Sequence, residues 1–213
     1  MNREKEFSVY LEQIKEIARE EGYDSLDEVY VEHLRSRFYG LPVKIGRGKR
    51  ILLRELQMSD LDALNGFEDR DREPVLKAFL RERKEETAEH LAVYIEKMYP
   101  FYDYGIWAVE RLLDGELIGL CGLGRTEVDG AECTDLGYYI CPKCRKQGYA
   151  AESVEIVLDY AKNYLEISAI YAIIKEENRI SKEILRKFGF EYQTDYEKSG
   201  EKLSVYRKVM TES

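Results

Sequence analysis

The chain carries only two histidines, one tryptophan and four prolines in 213 residues. No apolar run approaches the roughly 20 residues that cross a bilayer, so no membrane partner is expected. His33 and His90 stand far from each other and from the glycine-bearing turn described below, and serine–histidine or cysteine–histidine catalysis has no support in the pattern. The opening residues, Met-Asn-Arg-Glu-Lys-Glu, lack the apolar core of a secretory signal, and a cytoplasmic address is the expectation. Positive charge is also in deficit. Lys and Arg number 33 against 42 Asp and Glu, a net charge of −9. That balance disfavours nucleic acid as a partner. It suits either a cationic acceptor, such as an amine or a basic peptide, or plain solubility.

Cysteine is sparse as well. Of Cys121, Cys133, Cys141 and Cys144, only Cys141-Pro-Lys-Cys144 has the short spacing of a zinc or redox pair. A zinc site needs two further ligands at suitable spacing, which Cys121 and Cys133 do not supply. Reduced thiols and no metal are expected.

What is present is enough for a core: 44% apolar residues and 12% aromatic, with 17 tyrosines. Residues 1–46 read as a helical appendage and linker, and residues 47–213 as the main domain. Phe7, Tyr10, Leu11, Ile14, Ile17 and Ala18 recur at helical spacing until Gly22. Asp24-Ser25 offers a cap for a second helix through Leu26, Val29, Tyr30, His33 and Leu34. This appendage reads as a packing or dimerisation element, which leaves a homodimer open. The glycines and charges of Gly46-Arg-Gly-Lys-Arg50 read as linker.

Beyond it, Ile51–Leu56 reads as a strand, and Ser59 or Asp60 as the cap of a helix from Leu61. Residues 68–73 read as loop. Helical spacing resumes at Val75–Leu80 and Thr87–Tyr99, closed by Pro100. Ile106–Leu112 turns at Asp114-Gly115 into Leu117–Gly124, which turns at Asp129-Gly130 into Cys133–Ile140; Asp-Gly between apolar runs is a hairpin signal. A helix over 150–165, a central strand Ala169–Ile174, a helix Ser181–Phe188 and a closing hairpin, Glu191–Tyr196 with Leu203–Val209, complete the order. The fold class is α/β (α+β), with a mixed, mostly antiparallel sheet of about six to seven strands and helices on both faces.

Between the strand ending at Ile140 and the next helix lies Arg145-Lys-Gln-Gly-Tyr-Ala150. Strand, glycine turn and helix start let consecutive N–H groups converge on a phosphate. Gly148 tolerates positive φ and removes a Cβ that would block close approach. Together with Asn178-x-x-Ser181 and Lys187-x-Gly189-Phe190, the pattern Arg145-x-x-Gly148-x-Ala150 resembles the GNAT acyltransferase superfamily. The closer similarity is to its Rim-type branch of ribosomal-protein N-terminal acetyltransferases and small-molecule acetyltransferases, over roughly residues 50–210.

The resemblance implies acetyl-CoA as cosubstrate and acetyl transfer to a primary amine, on a small molecule or a protein N-terminus, by direct transfer in a ternary complex. It also implies a splay between the fourth strand (133–140) and the fifth (169–174) that takes the pantetheine arm much as a sheet takes an added strand. Tyr139 and Ile140 would meet pantetheine through main chain. Arg145, Lys146, Gln147, Gly148, Tyr149 and Ala150 would hold the pyrophosphate, and Asn178 the pantetheine arm. Ser181 would either touch the cofactor or cap its helix, and Lys187 would either approach the phosphates or complement the helix dipole. Asp135 stands where relatives carry a basic carboxylate. It is either the general base, acting through a water, or an ion-pair partner, or a solvated strand residue. Leu185 occupies the place of the usual acid tyrosine, leaving Tyr138, Tyr192 and Tyr196. That gap motivates a rival reading, a non-catalytic acyl-CoA sensor or interaction module.

Overall fold

A computed structural model describes residues 2–68, 74–128, 130–198 and 200–210. The loop expected at 68–73 and the turn residue Asp129 therefore lie, but for Glu68, outside the described residues. Two compact units divide the chain, Met1–Lys44 and Ile45–Ser213.

The first unit is a pair of helices, α1 (Arg3–Glu20) and α2 (Glu28–Tyr39). Phe7 meets Phe38 edge-on at 5.4 Å, and Tyr10 stacks on Phe38 at 5.5 Å. Asp27 caps α2, accepting from the N–H groups of Val29 and Tyr30, so the helix starts later than the Asp24-Ser25 reading placed it.

The second unit is built on an eight-stranded sheet in the order β1-β2-β3-β4-β5-β6-β8-β7. The strands are β1 (Lys44–Arg47), β2 (Ile51–Arg54), β3 (Ile106–Arg111), β4 (Leu117–Val128), β5 (Ala131–Ile140), β6 (Ala169–Lys175), β7 (Glu191–Lys198) and β8 (Glu201–Val209). The β5–β6 pair is parallel, and every other pairing whose sense is resolved is antiparallel. The additional strand is β1, in the stretch read as linker. Its glycines mislead a local reading because they serve a distant contact. A Cβ on Gly48 would collide with the Glu152 side chain of the helix packed above it.

Cross-strand neighbours separate the two faces. Ala108, Leu120 and Tyr139 share one, where Tyr139 meets Phe67 at 5.1 Å. Trp107, Cys121 and Tyr138 share the other, where Trp107 packs edge-on against Tyr160 at 5.4 Å. Tyr160 belongs to α7 (Tyr149–Asn163); Phe67 follows α3 (Leu61–Asn65). Trp107 is fully buried. The first face is further covered by α4 (Pro74–Phe79), whose Val75 lies beside Gly137; α5 (Lys84–Val93) and α6 (Tyr99–Tyr102) come next in the chain, and α8 (Arg179–Lys187) follows β6.

Two local expectations are corrected. Pro100 does not close the helical region. A π-turn over Tyr94–Met98 precedes it, and Pro100 sits in the first turn of α6, where its missing N–H costs nothing. Asp60 makes no side-chain cap to α3. Its carboxylate instead takes both terminal nitrogens of Arg54, at 2.8 and 2.9 Å, and the N–H of Gln57. Arg54 also bonds Glu110 at 2.6 Å, and these two carboxylates hold the buried guanidinium firmly charged against its desolvation.

Candidate active site

The sheet opens between β5 and β6. These parallel neighbours share a single ladder position, Asp135 opposite Tyr171, and then separate. Which main-chain groups face the opening follows from strand alternation. The Cys141 N–H donates to the Ile118 carbonyl at 2.9 Å, in register with Tyr139 opposite Leu120. Odd-numbered residues of β5 therefore turn their polar groups to β4, and Tyr138 and Ile140 turn theirs to the gap. Likewise the Glu176 N–H donates to the Lys202 carbonyl, so Ile173 and Lys175 face the gap from β6. Of the two main chains expected to meet a cofactor, Ile140 is so oriented. Tyr139 is committed to β4, and Tyr138 takes its place.

Past Ile140 the chain makes a 3₁₀ turn (Pro142–Cys144) and then two left-handed residues, Lys146 at φ 60° and Gly148 at φ 85°. Paired left-handed positions bend the chain so that successive N–H groups converge. The first intrahelical bond of α7 runs from the Glu152 N–H to the Gly148 carbonyl, so the N–H groups of Tyr149, Ala150 and Ala151 precede it at the positive end of the helix. A Cβ on Gly148 would point at the Arg50 guanidinium, 3.3 Å away. Glycine is thus required at this position by its backbone angle more than by the bulk it omits.

The flanking side chains serve the turn itself. Arg145 donates from Nε to the Ile140 carbonyl at 2.8 Å and lies over the Tyr139 ring, so this cation braces the strand end. Asn178 caps α8, accepting from the Ser181 N–H at 3.1 Å, while its own N–H reaches the Lys175 carbonyl. Ser181 is therefore the capped residue and not the cap. A cavity of about 480 Å³ lies between β5, the turn and α8. Tyr139, Ile140, Arg145, Lys146, Gly148, Tyr149, Ala150, Asn178 and Ser181 all line it; Gln147 and Lys187 do not. A second cavity, about 700 Å³, lies across the turn against β1, the residues that join it to β2, and α7, with Lys187 among its lining.

Asp135 sits where β5 and β6 part, outside both cavities. Alternation takes it off the Leu136 side, yet its own side is partly shielded. Burial pushes its carboxyl above the ordinary range. The half-buried Tyr196 hydroxyl is pushed up in turn, by burial first and then by the Asp135 charge, which places that phenol within electrostatic reach. Tyr192 is exposed and engaged with Asp195, and Leu185 is fully buried. Cys121, Cys133, Cys141 and Cys144 are free thiols, and burial raises Cys141 to about 11.

Residues 50–191 match the acetyltransferase (GNAT) domain family, two thirds of the chain. The chain belongs to the GNAT acetyltransferase family. It is 26% identical over 107 residues to the uncharacterized protein YkkB of Bacillus subtilis, covering 50% of this chain and 62% of that one. It is 28% identical over 145 residues to the uncharacterized N-acetyltransferase YoaA of the same organism, covering 67% of this chain and 80% of that one. Among solved structures, the RimL ribosomal L7/L12 α-N-protein acetyltransferase in complex with coenzyme A superposes with a TM-score of 0.62 at 17% identity, over 78% of this chain and 98% of that one. At that identity the likeness is one of fold.

A GNAT domain is that of an acetyl-CoA-dependent acyltransferase. The features present fit its cosubstrate: main-chain groups facing a gap for an amide-bearing arm, and a nest of N–H groups beyond it for a diphosphate. Among the described residues no group of three or more His, Cys, Asp or Glu could hold a metal ion, and no helix is long and apolar enough to cross a membrane. Two features escaped sequence reasoning, the main-chain orientation of Tyr138 and the hold of Arg50 on the turn. Tyr138 could have been found by counting strand alternation from the turn. Arg50, which bonds the Gln147 carbonyl at 2.7 Å, could not, since its partners lie about a hundred positions along the chain.

Proposed function

We propose that this GNAT protein transfers an acetyl group from acetyl-CoA to a primary amine, on a small molecule or a protein N-terminus, by direct attack within a ternary complex, in the manner of the Rim-type branch. The observation that carries the reading is the parting of β5 and β6 after one ladder position, with the doubly left-handed turn just beyond it. Pantetheine would lie along Tyr138 and Ile140, with its diphosphate against the N–H groups of residues 146–151.

In the transfer, the amine lone pair attacks the thioester carbonyl carbon. The C–N bond forms as the C–S bond breaks, and CoA leaves as thiolate. Holding both reactants supplies much of the acceleration. Asp135 accepts the proton that the amine loses, through a bridging water because its side chain is short, and the thiolate is protonated from solvent or from a neighbouring phenol. Residues 1–46 act as a packing or dimerisation element, and the protein works in the cytoplasm.

The test is titration calorimetry with acetyl-CoA, paired with a thiol-release assay over amines, amino acids and N-terminal peptides. Micromolar binding with thiol release for at least one amine is expected. Binding with no turnover on any acceptor would favour a sensor on the same fold, and no binding at all would end the acyl-CoA reading.

A further inference from the structure

Arg50, at the start of β2, reaches across to the phosphate turn and engages it from the side away from the gap. Its main-chain N–H donates to Glu152 Oε1 at 2.8 Å, and its Nε donates to Glu152 Oε2 at 2.9 Å. Its Nη1 donates to the Gln147 carbonyl at 2.7 Å, and the guanidinium lies over the Tyr149 ring at 4.6 Å. Glu152 is the well-shielded member of the pair, with its side chain 13% exposed against 46% for Arg50.

Two consequences follow from this geometry. The Gln147 C=O and the Gly148 N–H belong to one planar trans peptide, so they point in opposite directions. Pinning the oxygen to Arg50 fixes the Gly148 N–H away from Arg50. Gly148 forms part of the wall between the two cavities, with Arg50 lining the larger. The N–H is thereby aimed toward the smaller one, where a diphosphate would lie. Second, the Glu152 carboxylate sits in the first turn of α7, where it would compete with a bound anion for the helix's positive end. Arg50 neutralises it in place.

Resting on the acyl-CoA reading, we infer that Arg50 is a positioning residue for the cosubstrate diphosphate. It acts by orienting the Gln147–Gly148 peptide and screening Glu152, and not by contacting the phosphates. A lysine keeps the charge but cannot bind a carboxylate through two nitrogens while holding a carbonyl with a third. The two roles are therefore separable.

The experiment is titration calorimetry of wild type, Arg50→Gln and Arg50→Lys with coenzyme A, with ³¹P spectra of each complex at saturation and a thermal melt of each protein. Arg50→Gln is expected to weaken binding on the order of tenfold, the scale of one lost charge-assisted hydrogen bond. Its diphosphate resonances should shift relative to the wild-type complex while the 3′-phosphate resonance stays put. Arg50→Lys, which still screens Glu152 but cannot hold the Gln147 carbonyl as well, should recover only part of that loss. Should Arg50→Gln not fold, Glu152→Gln takes its place; it is expected to bind severalfold more weakly although it removes a negative charge beside the site.

Wild-type affinity in Arg50→Gln, full rescue by Arg50→Lys, or tighter binding by Glu152→Gln would each overturn the inference while leaving the acyl-CoA reading intact. Failure of the wild-type protein to bind coenzyme A would overturn that reading and this one with it.

Discussion

Gly148 allows two parts of the site's physics to be separated by two substitutions at one position. Its φ of 85° lies in the left-handed region, and its absent Cβ would meet only the end of a half-exposed guanidinium at 3.3 Å. Gly148→Ala therefore tests the backbone. A non-glycine residue in this conformation costs about 1–2 kcal/mol, and the methyl adds little because Arg50 can yield a few tenths of an ångström. For a chain of this size each kcal/mol lowers Tm by about 2–4 °C, so a loss of roughly 2–8 °C is expected by thermal melt. Gly148→Glu adds a charge. A carboxylate about 5 Å from a diphosphate charge at an effective dielectric near 20 opposes it by about 3 kcal/mol, more than a hundredfold in affinity. It would also draw Arg50 off Gln147. Calorimetry with acetyl-CoA should thus show binding by the Ala variant and none below about millimolar by the Glu variant, with both proteins folded by circular dichroism. Retained micromolar binding by Gly148→Glu would refute the assigned phosphate site. A Tm for Gly148→Ala within about 1 °C of wild type would refute the backbone argument.

Asp60→Asn leaves Arg54, its side chain 7% exposed, with one carboxylate where it had two, and should cost about 3 kcal/mol, a Tm drop of roughly 6–12 °C; an unchanged melt would show that Glu110 alone suffices. Tyr99→Phe removes a buried hydroxyl that accepts from the Leu56 N–H at 3.1 Å and donates to the Ile106 carbonyl at 2.6 Å, and should destabilise by about 2–4 kcal/mol in denaturant titration, with under about 1 kcal/mol counting against the bridge. Burial raises the folded pKa of Asp135, so its charge destabilises the fold above that pKa, and the penalty disappears as pH falls below the unfolded value near 3.9. Asp135→Asn should accordingly melt higher than wild type at neutral pH, with the difference closing below about pH 4, and should lose the acidic limb of the wild-type kcat profile; equal kcat for mutant and wild type would remove Asp135 from the chemistry.

The sheet was legible wherever its signals are local. Asp114-Gly115 marked the β3–β4 hairpin, the stripe from Ala150 to Ala161 marked α7, and Arg145–Ala150 marked the turn between strand and helix. What stayed hidden depends on partners distant in sequence. β1 passed for a linker because Gly48 answers to Glu152, and Asp60 passed for a helix cap because Arg54 claims it. The same holds within the site. Spacing marked the glycine turn, but not the side chain that holds it: Arg50 bonds Glu152, 102 positions along the chain, and the Gln147 carbonyl, 97 along.

The partial burial of Asp135 bears on whether it can be a base at all. An amine acceptor arrives mostly as ammonium at neutral pH, its α-amino pKa being about 7.7–8.0, and an ammonium cannot attack a thioester. Were Asp135 well solvated, the two would settle as an ion pair and the carboxylate would hold the amine in its unreactive form. Shielding weakens that preference, because desolvation penalises both charges of the pair and neither member of the neutral one. On the proposed mechanism, proton transfer to the carboxylate, whose folded pKa is already raised, becomes less costly and leaves the amine neutral beside the thioester. In that mechanism the two roles weighed for Asp135 are successive states of one arrangement: the charge that attracts the ammonium is the base that takes its proton through the bridging water.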